Sequence, residues 1–307
     1  MTEQRNSENE VAVVAVTFSP GRSLDSFLDS VALATGRPVD VVLADNGSTD
    51  GAPERAAATR EGVRLLPTGG NLGYGRAANA GVAATKAEWV VVANPDVVWN
   101  PGSLDQLLAA AQRWPRAGAL GPLVRTDEGA VYPSARALPS LRRGIGHALF
   151  ARWWPGNPWS VGYRQERATL AERTAGWLSG ACLLLRREAF DSVGGFDPSY
   201  FMYFEDVDLG ARLDAAGWLN VYVPTAEVVH VGSHATSRHA AAMISEHHRS
   251  AWRYLSGRYR GWRWLPVRVL LRAGLKAREL VALRSGRADS PIVPQVPTDR
   301  PQRGESK

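Results

Sequence analysis

Cysteine is nearly absent from this chain: Cys182 stands alone in 307 residues. That excludes an internal disulfide framework and a multi-cysteine zinc site, and its apolar neighbours mark it as a small core residue. Long hydrophobic runs are missing too. The best, Thr174 to Leu185, is bounded by Arg173 and Arg186 and falls short of the roughly 18 residues that a spanning helix needs. Glu3, Arg5, Glu8 and Glu10 interrupt the first ten residues, so no secretory signal is expected. No internal repeat is visible. The expectation is a reduced, cytoplasmic protein. What is present is ordinary for a globular chain, 45% hydrophobic and 21% charged, and long enough for one large α/β domain with extensions or two smaller ones. The net charge of +6 gathers late in the sequence, which points that region to an anionic partner, nucleic acid or a membrane surface.

Apolar patterning supplies the elements. Val11 to Phe18, Val39 to Ala44, Val63 to Leu66 and Trp89 to Ala93 read as strands, the first and last of them β-branched runs. Between them, Leu24, Phe27, Leu28 and Val31 recur at helical spacing, Pro53 to Thr59 is a short helix with Asp50 as cap, and a glycine-rich stretch enters a helix that runs to Thr85. This alternation predicts a parallel, Rossmann-like sheet. A helix over Leu104 to Trp114 and a strand over Gly118 to Val124 follow. From Pro133 to about Arg173 the pattern weakens, with Trp153, Trp154 and Trp159 among prolines and arginines. Trp177 to Leu185 is a strand, Glu205 to Ala216 a helix, and Val221 to Val223 and Val228 to Val231 short strands. The last helices run from about His239 to Arg284, with His239, His247 and His248 at surface positions. Residues 1–10 and 285–307 read as polar disordered tails.

Chemistry gathers at the ends of these strands. Trp89 to Ala93 stops abruptly at Asn94-Pro-Asp96, because Pro95 has no N–H for the ladder. Open α/β sheets bind ligands at that carboxyl edge, and a carboxylate there can hold a divalent cation and, through it, a diphosphate. Asp45 ends the second strand at the same edge, placed for a base N–H or a ribose hydroxyl. It equally suits an Asx-turn before Gly47, and both can hold together. Gly69-Gly-Asn-Leu-Gly-Tyr-Gly75, with Arg76 in the next turn, suits a phosphate at a helix N-terminus. Following the third strand rather than the first, it does not fit a dinucleotide fingerprint, and a dehydrogenase ranks a distant third. In Phe201-Met-Tyr-Phe-Glu-Asp-Val-Asp208 aromatics lead into three acids. Acids favour a helix start, yet three so close need a cation, a substrate or the dipole to stabilise them, and a crowded carboxylate suits a general base. His230 ends an apolar strand; a lone histidine does not make a metal site, nor does its pairing with His234.

Taken in order, Val16-Thr17-Phe18, Asp45-Asn-Gly-Ser-Thr-Asp50, Asn71-Leu-Gly73 with Asn79, Asn94-Pro-Asp96, Gly194-Gly-Phe-Asp197, Glu205-Asp-Val-Asp208 and His230 resemble the inverting family 2 glycosyltransferases with a GT-A fold. The likeness covers about residues 11–235. It implies an α/β fold, a nucleotide-binding mixed sheet flanked by helices, with a helical extension over 236–284. It also implies a nucleotide-sugar donor, a divalent cation, Mg²⁺ or Mn²⁺, and direct displacement with inversion. By position, Thr17, Asp45, Gly73, Arg76, Asn79, Asn94 and Asp96 would face the nucleotide sugar, and Asp96 and His230 the metal. Asp206 would be the base with Glu205 the runner-up, and Trp177, Gly180 and Asp208 would lie on the acceptor side. Asn94 stands where the family has the first acid of its metal motif, so Asp96 carries most of the metal contact. This variant resembles the subgroup containing rhamnosyltransferases. The implied reaction moves L-rhamnose from dTDP-rhamnose to a polyprenyl-diphosphate-linked GlcNAc in cell-wall assembly. Another hexosyl or rhamnosyl transfer to a polysaccharide or lipid, and a non-catalytic nucleotide-sugar-binding protein, are the alternatives.

In the extension, Trp252, Tyr254, Tyr259, Trp262 and Trp264 interleave with arginines, and Arg268, Arg272 and Lys276 recur every fourth residue beside Val269, Leu270, Leu271 and Leu275. Basic amphipathic stretches with tryptophans suit an anionic membrane interface; a helix packed on the catalytic domain with a solvated basic face is the competing reading. No nucleic-acid-binding motif accompanies the charge. The expected location is the inner face of the cell membrane, with the chain peripheral, and a homodimer stays open.

Overall fold

Seven consecutive residues of Val11–Thr17 (β1) are buried, which is possible only for a strand covered on both faces. The computed structural model describes residues 10–139, 170–232 and 240–285. β1 pairs in parallel with Asp40–Asp45 (β2) on one side and Trp89–Ala93 (β4) on the other, and Val63–Pro67 (β3) extends the sheet beyond β2. Ser23–Ala34 (α1), Ala52–Thr59 (α2) and Tyr74–Ala83 (α3) make the crossovers. Alternation along β1 serves two cores: Val11, Val13 and Ala15 pack with Leu24, Phe27 and Val31 of α1, and Val14 and Val16 with Ala77, Ala78 and Val82 of α3.

Past β4 the sheet becomes mixed. Cys182–Arg186 (β11) runs antiparallel to β4 and to Ala117–Thr126 (β6). Leu219–His230 (β12) returns parallel to β6, and Val97–Trp99 (β5) closes the edge antiparallel to β12. The order among the described residues is β3-β2-β1-β4-β11-β6-β12-β5. Val131–Tyr132 (β7) and Arg173–Ala175 (β9) add to β6 and β12, while Ala135–Arg136 (β8) and Trp177–Leu178 (β10) form a separate ribbon. Ser103–Arg113 (α4), Arg187–Ser192 (α5) and Glu205–Ala215 (α6) complete this unit. Cys182 is a buried free thiol whose pKa burial pushes up.

Several expectations are corrected here. The strand expected over Trp177 to Leu185 is two, β10 and β11, broken at Ser179-Gly180-Ala181. The two short strands expected near Val221 and Val228 are one, β12, whose register shifts between Val223 and Glu227. The chain leaves its ladder at Pro95 as expected, and Val97 starts β5 at the far edge of the sheet, against β12. Asp50 accepts the Ala52 N–H at 3.0 Å, but the cap residue of α2 is Gly51, at φ 68°.

The chain divides into two compact units between Arg238 and His239. In the second, Ala240–Arg258 (α7), a 3₁₀ turn over Trp262–Trp264 and Leu265–Ser285 (α8) follow one another. α7 and α8 pack together: buried Glu279 of α8 accepts hydrogen bonds from Ser245 of α7 and from Lys276, and Arg272 lies over the Trp252 ring at 5.3 Å. His247 and His248 are not surface residues. His248 is buried and His247 half-buried, and burial draws His247 down to about 4. No helix among the described residues is long and apolar enough to cross a membrane. Trp153, Trp154, Trp159, His234, His239 and the expected tails, Glu10 and Ser285 apart, lie outside the described residues.

Candidate active site

A cavity of about 440 Å³ opens at the carboxyl ends of the parallel strands. Its floor comes from the end of β4, where Asn94, Pro95 and Asp96 line it, and one wall is Tyr203, Glu205 and Asp206 from the start of α6. His230, the last residue of β12, arrives because β12 pairs His230 with Val97 of β5. Pairing thus brings together residues 134 positions apart: Asp96 Oδ1 and His230 Nε2 lie 3.1 Å from each other, and Asn94 Nδ2 is 3.3 Å from the same ring nitrogen. A neutral imidazole meets this contact by donating its Nε2–H to the carboxylate, and a divalent cation between the two would take that hydrogen's place. This donor set suits two neighbouring ligands of one divalent cation, with Asn94 adjacent and the remaining positions left for oxygens of a diphosphate. Among the described residues no group of three or more His, Cys, Asp or Glu is arranged to hold a metal by itself.

Glu205 and Asp206 owe their position to a strained lead-in. Tyr203 and Phe204 both adopt φ 67°, a left-handed conformation that bulky side chains avoid and that recurs at functional sites. Phe201 anchors the segment, its carbonyl accepting the Tyr74 N–H at 2.9 Å. The two acids then separate in character. Asp206 Oδ2 accepts the Gly180 N–H at 2.9 Å and Oδ1 the Val207 N–H at 2.8 Å. Burial raises the Asp206 pKa, opposed by those N–H groups and by the Arg136 charge. Glu205 is buried, its Oε2 has no hydrogen-bond partner, and burial together with the Asp206 charge pushes it up to about 8. Burial thus pushes both acids up, while the two N–H groups and Arg136 favour the charged form at Asp206 and nothing equivalent does so at the Oε2 of Glu205.

The remaining expected residues fall behind or beside the cavity. Thr17 Oγ1 donates to Asp45 Oδ1 at 2.8 Å, and Asp45 also takes the N–H and hydroxyl of Ser48. The Asx-turn is formed, and Asn46 rather than Asp45 lines the cavity. Gly73 packs against Phe201, where a Cβ would collide with the carbonyl. Arg76 Nε donates to the Pro198 carbonyl at 2.7 Å. Asn79 clamps Phe196 through both N–H and carbonyl, at 2.9 and 2.8 Å. The glycine-rich loop spends its N–H groups internally: Leu72 on Asn46, Gly73 on Asn71 and Tyr74 on Phe201. Asp208 pairs with Arg212 at 2.7 Å, and the Trp177 indole donates to the Ala137 carbonyl. Gly180 lines the cavity; Trp177 and Asp208 do not.

Two residues were not singled out in the sequence. The Tyr74 hydroxyl donates to the Gly180 carbonyl at 2.7 Å, tying α3 to the loop that holds Asp206. Its position between two glycines at a helix start was the available signal. Arg136 is buried, stacks 5.9 Å from the Tyr132 ring and 5.6 Å from the Trp177 ring, and favours the ionised form of Asp206. It falls in the stretch with the weakest pattern, and nothing in the sequence marked it.

The comparisons agree with this geometry. The pattern of "Glycosyl transferase family 2" matches residues 12–194, and that of "Glycosyl transferase family group 2" residues 159–284. The chain is 56% identical to the N-acetylglucosaminyl-diphospho-decaprenol L-rhamnosyltransferase of Mycobacterium tuberculosis (strain ATCC 25618 / H37Rv) over 284 residues, 89% of this chain and 92% of that protein. Two solved structures share the fold. The mannosyltransferase PcManGT from Pyrobaculum calidifontis, in complex with GDP-Man and Mn²⁺, has a TM-score of 0.52 at 20% identity, covering 92% of this chain and 73% of that one. GalNAc-T7 with UDP, GalNAc and Mn²⁺ has a TM-score of 0.53 at 15% identity, covering 73% and 43%. The sheet, the cavity at its carboxyl edge and the matched pattern lead to one assignment: the chain is a GT-A glycosyltransferase and belongs to glycosyl transferase family 2.

Proposed function

We propose that this enzyme transfers L-rhamnose from dTDP-rhamnose to the GlcNAc of a polyprenyl-diphosphate-linked acceptor, with inversion, in cell-wall assembly. The observation that carries the reading is the 56% identity that spans nearly all of the M. tuberculosis rhamnosyltransferase. The cavity supports it, because one wall offers a carboxyl group aimed by two N–H groups and the floor an Asp–His pair.

Asp206 accepts the proton of the acceptor hydroxyl. That oxygen forms a bond to the anomeric carbon as the bond from the anomeric carbon to the diphosphate breaks on the opposite face. The Gly180 and Val207 N–H groups aim the Asp206 carboxylate, and Arg136 favours its charged form, so most of the rate comes from positioning and electrostatics. Protonated Glu205 keeps a second charge away from the base. Asp96 and His230, with Asn94 beside them, would hold the divalent cation, Mg²⁺ or Mn²⁺, whose charge offsets that of the departing diphosphate. We assign Thr17, Asp45, Gly73, Arg76 and Asn79 to shaping the nucleotide side from behind, and Trp177, Gly180 and Asp208 to the acceptor side. The reaction belongs at the cytoplasmic face of the cell membrane, with the chain peripheral.

The test is a donor screen with a short prenyl-diphosphate-GlcNAc, read by mass spectrometry. A deoxyhexose is expected from dTDP-rhamnose alone. It should be lost in EDTA, restored by Mg²⁺ or Mn²⁺, and reduced about 10²–10⁴-fold in Asp206→Asn. Transfer from another nucleotide sugar would retain the mechanism and overturn the rhamnose assignment. Nucleotide binding without transfer from any donor would favour the non-catalytic reading.

A further inference from the structure

The second unit carries an apolar helix face whose described residues are exposed. α8 turns Leu271, Leu275, Glu279 and Ala282 inward, half-buried or buried, at the i, i+4, i+8 and i+11 spacing of one helix face. The opposite face is exposed and apolar. Leu265, Val269, Leu270, Leu280 and Val281 are all exposed, Leu270 at 73%, with Ala273 and Ala277 between them. Trp262, just before the helix, is 81% exposed. Hydrophobic residues scattered singly on a surface need no explanation, but a continuous stripe along five turns of helix does.

Charge borders the stripe and is all of one sign. At about 100° per residue, Arg272 projects along one edge with Lys276 just inside it, Arg278 along the other, and Arg284 at the helix end falls on the outward face itself, with Arg263 beside Trp262. The one acid of α8, Glu279, faces inward and is bonded. The outward face is thus apolar along most of its length, with exposed bases at its margins and Arg284 at its C-terminal end. Long basic side chains at the edge of an apolar stripe can extend to phosphates while their stems lie along hydrocarbon. A bare apolar stripe alone would fit a second copy of the chain. A stripe fenced by cations, with an exposed tryptophan at one end, fits an anionic lipid surface.

We infer that α8 and the Trp262 turn form a monotopic membrane-docking surface. Trp262, Leu270 and Val281 enter the headgroup–acyl boundary of an anionic bilayer, and Arg263, Arg272, Lys276 and Arg278 meet its phosphates. The inference stands on this unit alone and does not depend on the reading of the cavity.

The experiment uses the full chain and flotation with vesicles of phosphatidylcholine alone or mixed equally with phosphatidylglycerol. The parent is expected to float with the mixed vesicles at low salt and to bind pure phosphatidylcholine at least about tenfold more weakly. Raising the salt to 0.5 M should weaken the first interaction, since the Debye length shrinks toward about 3–5 Å. The double variant Leu270→Asp/Val281→Asp changes only exposed positions. Its circular dichroism and thermal melt should match the parent while binding to mixed vesicles falls at least about tenfold. Arg272→Gln/Arg263→Gln should lose affinity for mixed vesicles only, by about fivefold or more. A parent that stays in solution with every vesicle overturns the inference, as does a Leu270→Asp/Val281→Asp variant that floats like the parent. A parent that is dimeric by light scattering, becomes monomeric in that variant and ignores vesicles would make the stripe a homodimer interface instead.

Discussion

Glu205 and Asp206 are consecutive acids at the rim of one cavity, and burial does not let both keep a charge. The backbone decides between them: Asp206 receives two N–H groups, and Glu205 leaves an oxygen without a partner. A stability prediction follows, with its sign set by linkage. Unfolded Glu205 releases its proton near 4.5 and folded Glu205 near 8. Across that window the folded state holds more protons than the unfolded one, so stability falls as pH rises. Glu205→Gln mimics the protonated form and removes the penalty. It should melt higher than the parent at pH 8, by at least about 2–4 °C for a gain of about 1 kcal/mol, with the difference shrinking steadily to pH 5. A difference that is flat with pH would mean Glu205 is ionised in the folded protein. In the transfer assay Glu205→Gln should stay within about tenfold of the parent while Asp206→Asn collapses; the reverse ranking would make Glu205 the base.

Elements explain why the acids point where they do. The turn before α3 and the aromatic lead-in to α6 meet at Gly73 and Phe201, joined by the Tyr74 N–H. Gly73 has φ 90° and no room for a Cβ, whereas Gly69 has φ 85° and open space around it. Gly69→Ala should cost only backbone strain, about 1–2 kcal/mol. Gly73→Ala should cost at least about 1 kcal/mol more, because the two loops must part. Denaturant midpoints measure both, and equal losses would show that the Phe201 contact carries nothing. The sequence revealed these elements unevenly. β1, β2 and β4 were legible because β-branched runs buried on both faces need no partner information. The break at Ser179-Gly180-Ala181 was not, because one Ser-Gly pair between apolar neighbours is a weak signal, and the contacts that fix it, Asp206 on the Gly180 N–H and Tyr74 on its carbonyl, come from far along the chain. Asn94, Asp96, Glu205, Asp206 and His230 were each visible as types in the right order. His230 joins them through the pairing of β12 with β5, a strand too short at Val97–Trp99 to register in any periodicity, and Glu205 and Asp206 through the Phe201 and Gly180 contacts.

At the scale of the molecule, two units carry two kinds of surface: a cavity that ends in ionisable groups and a helix that shows hydrocarbon to the outside. If the first transfers a sugar to a lipid-linked acceptor and the second docks on the bilayer, the two functions separate by choice of acceptor. With a short-chain acceptor dissolved in water, docking offers nothing, and Leu270→Asp/Val281→Asp should match the parent in both kcat and KM. With a long-chain acceptor embedded in anionic vesicles, docking confines enzyme and acceptor to one surface and raises the effective concentration of each for the other. There the variant should lose at least about tenfold in turnover at limiting acceptor, and added salt should bring the parent down toward it. The two sets of kinetics, run on the same preparations, read the cavity and the helix independently. Equal losses on both acceptors would mean that the substitutions disturb the catalytic unit. Equal activity on both would mean that the acceptor reaches the cavity without help from α8.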